Sequence, residues 1–235
     1  MGTAYSETWF DMFLWTIPAE QTAREIAFVA RQLPPPPSTV LDLCCGPGRH
    51  AGGLSNLGYL VTGVDLDARQ LDRARREIGS SVVWMEADMR RLDLLPGQYD
   101  GLLILWQSFG FFDDSENAAL LRAAHTKLTP GGRLILDVYH RGFFVGRDGE
   151  RLGERGGIRF VERKRLVGNR LLVTVDYGDT SDHFDWRLYT PEELPELARA
   201  AGLWPVRRCS DFDEAQPATP QRPRMQLVFE RPVTE

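Results

Sequence analysis

Three aspartates, Asp42, Asp65 and Asp88, lie at or just after the C-terminal ends of three successive apolar runs of the chain. Between the first two lies the loop CGPG at residues 45–48, in which two glycines let the backbone turn tightly and approach a ligand without a Cβ in the way. Carboxylates accept hydrogen bonds from hydroxyl groups and attract cations. These residues therefore predict a site for a ligand that carries hydroxyl groups and positive charge.

A strand and a helix must hold this loop in place. Residues 40–43 form a short apolar run behind a proline-rich approach, which is typical of a buried parallel strand. A helix is expected from about Arg49, so that the free backbone N–H groups of its first turn face whatever lies over the loop. Ligands of open parallel sheets bind outside the carboxyl ends of the strands, and the three carboxylates are expected there.

The position of Asp42 favours one nucleotide cofactor over another. Gly46, Gly48 and Ala51 fit the dinucleotide fingerprint G-x-G-x-x-A, which would place a pyrophosphate over the loop. A phosphate so close to Asp42 would be repelled, whereas S-adenosylmethionine (SAM) carries a sulfonium and an ammonium that a carboxylate attracts. Asp65 suits the ribose hydroxyls of either cofactor. A third acid at the end of the next strand has a use only with SAM, beside the adenine.

Five segments in this order resemble the class I SAM-dependent methyltransferases, most nearly the bacterial small-molecule N- and O-methyltransferases: VLDLCCGPGRH, VTGVDLDARQLDRAR, EADMRRLDL, YDGLLILWQSFGFF and LTPGGRLILDVYH. The resemblance covers residues 38–140 closely and the C-terminal elements more loosely. Cys44 stands where the family's loop has its first glycine. We expect the turn to stay intact and the pocket around the methionine part of SAM to be tighter.

The resemblance implies SAM as methyl donor, S-adenosylhomocysteine as its product, and no metal. It also implies the residues that bind the cofactor, which are Asp42, Cys44, Gly46, Gly48, Arg49, Asp65, Leu66, Asp88, Met89, Leu105 and Trp106.

The same resemblance implies an α/β fold, with a Rossmann-like, doubly wound, seven-stranded sheet whose last strand runs antiparallel. We expect one methyltransferase domain over residues 1–235. Its parts are an N-terminal helical arm (1–37), the cofactor-binding core (38–140), an antiparallel β flap inserted after strand five (141–189), and a C-terminal helix and strand pair that complete the sheet (190–235).

The arm carries a dense aromatic cluster, which is Tyr5, Trp9, Phe10, Phe13 and Trp15. Such a cluster either folds onto the domain as apolar packing or forms a lid over cofactor and substrate. In similar enzymes N-terminal segments act as lids, and on that reading Trp9 and Phe13 contact the substrate.

The flap is predicted from alternation in the two-residue period of half-exposed strands over residues 158–167, 170–177 and 183–189. These segments predict three antiparallel strands, with a hairpin turn at Gly168 and Asn169. Similar methyltransferases carry substrate-selecting elements at this place, which makes Tyr177 and Trp186 candidate substrate contacts. Gln107 is another, in the loop at residues 106–112 that follows strand four and is expected to line the reaction site. A cofactor lid and a dimer contact remain as alternative roles for the flap.

Methyl transfer from a sulfonium is an in-line displacement that depends mainly on positioning, and it needs a base only if the nucleophile arrives protonated. The candidate bases are His140 and Tyr139, which follow strand five, with Asp113 and His183 behind them. An ordinary surface histidine is the alternative for His140.

The composition narrows the partners. A net charge of −5 argues against a nucleic-acid surface, and no apolar run approaches the roughly 20 residues of a membrane span. Three cysteines without metal-ligand spacing indicate reduced packing residues and a cytoplasmic protein. We expect a small-molecule substrate, no nucleic acid, no membrane, and a monomer or homodimer.

Three other functions stay open on the sequence. The chain could bind SAM without catalysis, or methylate RNA or protein. An NAD(P)-linked oxidoreductase is disfavoured by Asp42 and by the lack of an evident Tyr/Lys pair for hydride transfer.

Overall fold

Two sheets organise the computed structural model, which describes residues 5–14 and 16–233. The strands in chain order are β1 Thr39–Leu43, β2 Leu60–Asp65, β3 Val82–Glu86, β4 Tyr99–Ile104, β5 Leu128–Tyr139, β6 Gly149–Arg155, β7 Ile158–Val167, β8 Arg170–Asp176, β9 Ser181–Arg187, β10 Trp204–Cys209 and β11 Arg224–Glu230. The α-helices are α1 Glu7–Trp9, α2 Ala19–Gln32, α3 Arg49–Asn56, α4 Ala68–Glu77, α5 Asp114–Lys127, α6 Arg141–Phe144 and α7 Glu193–Ala200.

The larger sheet has seven strands in the order β10-β11-β5-β4-β1-β2-β3. β1 pairs in parallel with β2 and β4, whereas β11 runs antiparallel to both of its neighbours. This arrangement confirms the predicted doubly wound sheet with an antiparallel last strand.

Apolar side chains cover both faces of this sheet. Leu102 and Leu103 of β4 are both fully buried, but they lie in two different clusters, because successive side chains of a strand point to opposite faces. Leu102 packs with Leu120 and Leu121 of α5. Because buried apolar side chains cover both faces, a ligand is expected at the carboxyl ends of the strands.

Two helix starts, before α4 and α7, are stabilised by side-chain caps. The Asp67 carboxylate accepts a hydrogen bond of 3.0 Å from the N–H of Arg69 at the start of α4. Before α7, the Thr190 hydroxyl accepts from the Glu193 N–H at 3.2 Å, while the Glu193 carboxylate accepts from the Thr190 N–H at 3.1 Å. This reciprocal pair is a capping box.

The flap has four antiparallel strands, β6-β7-β8-β9, where the sequence pattern predicted three. The additional strand β6 has the sequence GERLGER, and five of its seven residues are exposed. A strand with so little buried surface shows no apolar alternation, which is why the pattern missed it. The flap lies between β5 and α7 in the chain, as expected.

The arm begins with α1 and continues into a π-helical turn at Phe10–Leu14. Met12 of this turn is fully buried in an apolar cluster with flap residues such as Phe160 and Phe184. Trp15, predicted as part of the aromatic cluster, lies outside the described residues. Among the residues that are described, no helix is both long and apolar enough to cross a membrane.

Candidate functional site

The glycine loop between β1 and α3 needs its glycines for different reasons. Gly48 has φ +82°, and a Cβ there would lie 2.4 Å from Cη2 of Trp84 and 2.7 Å from Cδ1 of Ile78. Gly46 has φ +55°, but a Cβ there would meet no described atom within 4 Å. Gly48 therefore permits packing beneath the loop, and Gly46 leaves space above it for a ligand.

Cys44 adopts a left-handed backbone conformation, with φ +59°, although it is not glycine. Its Sγ lies 3.4 Å from Sδ of Met89, and burial raises the pKa of its thiol well above the ordinary value. The turn is formed despite the cysteine, at a steric cost of roughly 1 kcal/mol. The side chain lines a cavity, and the tighter pocket expected from this departure stays a prediction.

This cavity, of about 710 Å³, lies over the carboxyl ends of the parallel strands. It brings together most of the predicted cofactor residues, which are Cys44, Gly46, Arg49, Asp65, Leu66, Asp88, Met89, Leu105 and Trp106. Asp42 and Gly48 do not line the cavity. They lie beneath the loop that forms its floor.

Asp65 ties the loop to the next strand. One of its carboxylate oxygens accepts a hydrogen bond of 2.8 Å from the Gly46 N–H, and the other accepts one of 2.9 Å from the Asp67 N–H. Burial raises the pKa of this carboxyl. Each oxygen keeps a second lone pair, so the carboxylate can still accept two hydroxyl donors from a ligand in the cavity.

Asp42 is buried, with 2% of its surface exposed, and its Oδ2 finds no hydrogen-bond partner in residues 5–14 and 16–233. Burial raises the pKa of this carboxyl to about 7, although the charge of Arg49 acts in the opposite direction. Nε of Arg49 is likewise buried and without a partner in the described chain. The remaining donor of Arg49, which lines the cavity, can bind the carboxylate of a SAM molecule, and the Asp42 charge beneath the loop can attract its ammonium.

Asp88 lies at the rim of the cavity and caps the turn after β3. Its carboxylate accepts a 2.9 Å hydrogen bond from the Arg90 N–H and forms a 2.5 Å ion pair with the Arg90 side chain. The hydrogen bond from the Arg90 side chain lowers the pKa of Asp88. The carboxylate is therefore ionised at neutral pH and held in one position.

The loop after β4 forms the opposite wall and carries two strained residues. Trp106 and Gln107 have φ +56° and +64°, and neither is glycine. Their N–H groups donate to Asp137, at 3.0 Å to its carboxylate and at 2.9 Å to its main-chain oxygen. Such conformations cost about 1–3 kcal/mol each and persist only where the surroundings enforce them.

Asp137 is the residue that holds Trp106 and Gln107 in these conformations. It is fully buried, and its carboxylate accepts from the Arg224 guanidinium and, at 2.8 Å, from the Gln226 amide. The Arg224 guanidinium in turn lies 4.9 Å from the centre of the Trp106 ring. Two neighbouring strands, β5 and β11, thus set the position of one cavity wall.

A second buried carboxylate supports the same wall from α2. Glu25 accepts a hydrogen bond of 3.1 Å from the Trp106 indole and pairs with Arg49 at 2.6 Å and His50 at 2.8 Å. Burial would raise the pKa of Glu25, but its bond to His50 and the charge of Arg49 outweigh burial and lower it to about 2. Burial lowers the pKa of His50, so this histidine is neutral at pH 7.

The arm closes the cavity from above. Its lining residues are Tyr5, Trp9, Phe10 and Leu14. Trp9 was a predicted substrate contact and does line the cavity. Phe13, the other, faces the flap instead, with its ring centre 6.0 Å from that of Phe160.

The remaining predicted substrate residues lie behind the cavity. Gln107 is 2% exposed, and its side chain donates to the Phe109 main-chain oxygen at 3.2 Å. The Tyr177 hydroxyl donates to Asp182 at 2.7 Å. Trp186 is buried and stacks on Phe184, with ring centres 4.8 Å apart. None of the three lines the cavity.

The two candidate bases are also outside the lining. His140 is 3% exposed, and its Nδ1 accepts a 3.0 Å hydrogen bond from the Gly142 N–H at the start of α6. Tyr139 packs edge-on against Trp186, with ring centres 5.7 Å apart. Of the residues named behind them, Asp113 lines the cavity, whereas His183 is on the exposed face of the flap.

Several cavity residues were not named individually as site residues from the sequence, among them Leu14, Ser108, Phe111, Phe112, Glu116 and Arg170. The loop at residues 106–112 was predicted to line the site, so Ser108, Phe111 and Phe112 had a signal. Arg170 of β8 had none, because its position depends on how the flap folds back. No group of three or more metal-ligating side chains occurs within the described part of the chain.

Comparison with known proteins finds similarity to methyltransferases. A family model described as "Methyltransferase domain" matches residues 40–132. The protein YqeM of Bacillus subtilis (strain 168), provisionally named a methyltransferase, is 26% identical over 200 residues, which are 78% of this chain and 81% of YqeM.

A second relative is the dTDP-3-amino-3,6-dideoxy-alpha-D-glucopyranose N,N-dimethyltransferase of Streptomyces fradiae, 28% identical over 197 residues, or 77% of this chain and 76% of the relative. The solved structure of the CcbJ methyltransferase from Streptomyces caelestis has a similar fold, with a TM-score of 0.79, 23% identity and coverage of 92% of this chain and 91% of that one. Together with the seven-stranded fold, these matches support a class I SAM-dependent methyltransferase that acts on a small molecule.

Proposed function

We propose that this enzyme transfers the methyl group of SAM to an amine nitrogen of a small molecule. The single observation that carries the proposal is a cavity whose two halves differ. One half has ionised or buried carboxylates at the strand ends, and the other is walled by the aromatic arm and the loop after β4.

The carboxylate half supports the cofactor role. Asp65 offers two free lone pairs for the ribose hydroxyls, and Asp88 stands at the rim for the adenine. Nε of Arg49 supplies a donor for the carboxylate of the amino-acid end, and the charge of Asp42 beneath the cavity floor attracts its ammonium. When bound, SAM supplies an electrophilic methyl group on a cationic sulfur, whose departure needs no protonation.

The aromatic half supports a small acceptor. Trp9, Phe10 and Phe111 stand over the cavity, and the arm closes it. A cavity of about 710 Å³ is of the size that typically holds one small molecule. The faces of aromatic rings attract cationic groups by about 0.5–2 kcal/mol, which favours an amine over a neutral hydroxyl.

Positioning accounts for the chemistry that the chain itself performs. The strained wall at Trp106 and the glycine loop hold the two reactants next to each other. Such positioning lowers the activation free energy by several kcal/mol. An acceptor that enters as an ammonium must lose a proton first. Asp113 and Glu116 are cavity carboxylates that can receive it, and the placement of His140 outside the lining supports them over that histidine.

The relative from Streptomyces fradiae is named for N-methylation of an amino sugar, and this name supports an amine acceptor for the present chain. An oxygen nucleophile is the second candidate from the sequence. The predicted cytoplasmic location and the monomeric or homodimeric state stay predictions.

A turnover screen tests the proposal. Purified protein is incubated with SAM and panels of small amines, phenols and carboxylates, and S-adenosylhomocysteine release is followed. We expect release with amines, and the Asp65→Asn variant serves as the matched control that should lose it. Release with phenols alone would establish O-methylation, and release only with RNA or protein would overturn the small-molecule assignment.

A further inference from the structure

The arm reaches its place over the cavity through contacts with the flap. In the larger and smaller sheets every strand is held by a hydrogen-bonded ladder, but residues 5–14 belong to neither sheet. The arm wall is therefore fixed by side chains. Its aromatic rings pack on the flap, with Tyr5 5.0 Å and Trp9 6.4 Å from the ring centre of Phe184.

One carboxylate of the flap holds the start of the arm. Asp182 on β9 is 6% exposed, and it accepts three hydrogen bonds. The Ser6 N–H donates at 3.0 Å to Oδ1, and the Ser6 hydroxyl donates at 2.7 Å to Oδ2. The Tyr177 hydroxyl of the flap also donates to Oδ2, at 2.7 Å. Bonds to an ionised acceptor are about twice as strong as neutral ones.

The same contact organises the arm itself. The Ser6 hydroxyl accepts a 3.0 Å hydrogen bond from the Trp9 N–H and so caps the first turn of α1. Its neighbour Tyr5 lines the cavity, and burial raises the pKa of its phenol. A chain of three groups, from Asp182 through Ser6 to Trp9, therefore connects the flap to two residues of the cavity wall.

No feature of the methyl-transfer chemistry uses Asp182, which lies outside the cavity lining. We propose that the Ser6–Asp182–Tyr177 contact is a latch that holds the arm shut and so gates the entry and exit of SAM. The proposal rests on SAM as cofactor and is independent of the acceptor. Asp182 is a positioning residue, because it acts on the cavity through Tyr5 and Trp9.

A gate has a kinetic signature that ordinary packing lacks. If SAM passes only when the arm opens, a weaker latch raises the open fraction of both the free and the SAM-bound protein. Association and dissociation then accelerate together, and the affinity changes less than either rate. Damage to the binding site itself would accelerate dissociation alone and weaken the affinity in the same proportion.

Stopped-flow fluorescence of SAM binding and release tests the latch, since Trp9 and Trp106 both line the cavity. We expect Asp182→Asn to accelerate both rates by about 10- to 100-fold, because the charged acceptor is lost and the new amide meets the Ser6 N–H. Ser6→Ala should give a smaller increase in both rates. Tyr177→Phe should give the smallest, since it leaves both bonds to Ser6 in place.

Two controls keep the result interpretable. Asp179→Asn changes an exposed aspartate in the loop between β8 and β9, and it should leave both rates unchanged. If Asp182→Asn fails to fold, Ser6→Ala still removes only one hydroxyl of the arm and carries the test. Unchanged rates in folded Asp182→Asn or Ser6→Ala would overturn the latch, as would faster dissociation with an equal loss of affinity. Failure of the unaltered protein to bind SAM would instead refute the cofactor.

Discussion

The two walls of the cavity are built in different ways. The cofactor wall is made from backbone: a loop whose left-handed residues lie between β1 and α3, with its Gly46 N–H bonded to Asp65 at 2.8 Å. The arm wall is made from side chains that pack on the flap, and it is joined to the flap by one buried carboxylate. A backbone site tolerates few changes, whereas a wall of side chains can vary with the acceptor.

Sequence separation differs in the same way. The bond between Gly46 and Asp65 spans 19 residues of one strand–helix–strand unit. The bonds between Ser6 and Asp182 span 176 residues. Short-range units leave a motif in the sequence, and contacts between distant segments leave none.

The largest effect is expected from Gly48→Ala, which would disturb the packing beneath the cofactor wall. The added Cβ would lie 2.4 Å from the Trp84 ring at a position with φ +82°. We expect the free energy of unfolding to fall by about 3–4 kcal/mol, through overpacking and backbone strain, and SAM binding to drop below detection. Urea unfolding and calorimetry measure the two effects.

Gly46→Ala is the matched control for that experiment. It shares the left-handed conformation but meets no described atom within 4 Å, so we expect a stability loss of only about 1 kcal/mol. Equal losses for the two variants would show that packing beneath the loop is unimportant.

A smaller effect is expected from Asp65→Asn, which keeps the shape of the side chain and removes its charge. We expect SAM affinity to fall by about 2–4 kcal/mol, because charge-assisted bonds to the ribose are lost. The amide oxygen can keep the hydrogen bond to Gly46, but the amide nitrogen then faces the Asp67 N–H, so we expect a stability loss of about 1–2 kcal/mol. Calorimetric titration with SAM measures the loss, and an unchanged affinity would remove Asp65 from the site.

Asp42 predicts a pH dependence of about tenfold. Burial raises the pKa of this carboxyl to about 7 in the folded protein, so it binds a proton that the unfolded chain has already lost. Its contribution to stability is therefore full below its unfolded pKa of about 4 and declines as pH rises toward 7.

Binding of cationic SAM should favour ionised Asp42, so affinity should rise by about tenfold between pH 6 and pH 8, with proton release. Titration in buffers of different ionisation enthalpy counts the protons. Asp42→Asn should abolish both the release and the pH slope, and a slope that survives in this variant would assign it to another group.

The smallest effect is expected on the side-chain wall. Trp186→Phe keeps a ring against Phe184 and changes the support of the cavity loop at Phe111, whose ring centre lies 6.1 Å away. We expect the acceptor's KM to change by less than about tenfold, because a ring stays against Phe184 and Trp186 does not itself line the cavity, with SAM affinity unchanged. Steady-state kinetics with a found acceptor measure the change. If Trp186→Phe lost as much SAM affinity as Asp65→Asn, both walls would contribute equally to SAM binding, and the proposed division between them would be wrong.

Most of the core could be predicted from the sequence because its signals are local. The apolar run before the glycine loop, the acids at the strand ends and the caps at Asp67 and Thr190 each depend on residues a few positions apart. Such patterns indicate which backbone conformation each segment favours. The order of the predicted strands and helices along the chain then indicates the sheet.

The flap shows where local signals end. Alternation predicted β7, β8 and β9, but β6 exposes most of its side chains and is held by main-chain bonds to β7. The roles suggested for Tyr177 and Trp186 followed from their strands, whereas their positions depend on which face of the flap meets the arm.

By itself the sequence determined the sheet, the glycine loop and the use of SAM, because these depend on backbone geometry that a few neighbouring residues enforce. The tertiary structure alone decided that Tyr5 and Arg170 line the cavity, that Asp137 holds Trp106 in a left-handed conformation, and that Asp182 meets Ser6. Each of these is a contact between distant segments, and its energy exists only once both segments are folded against the same core.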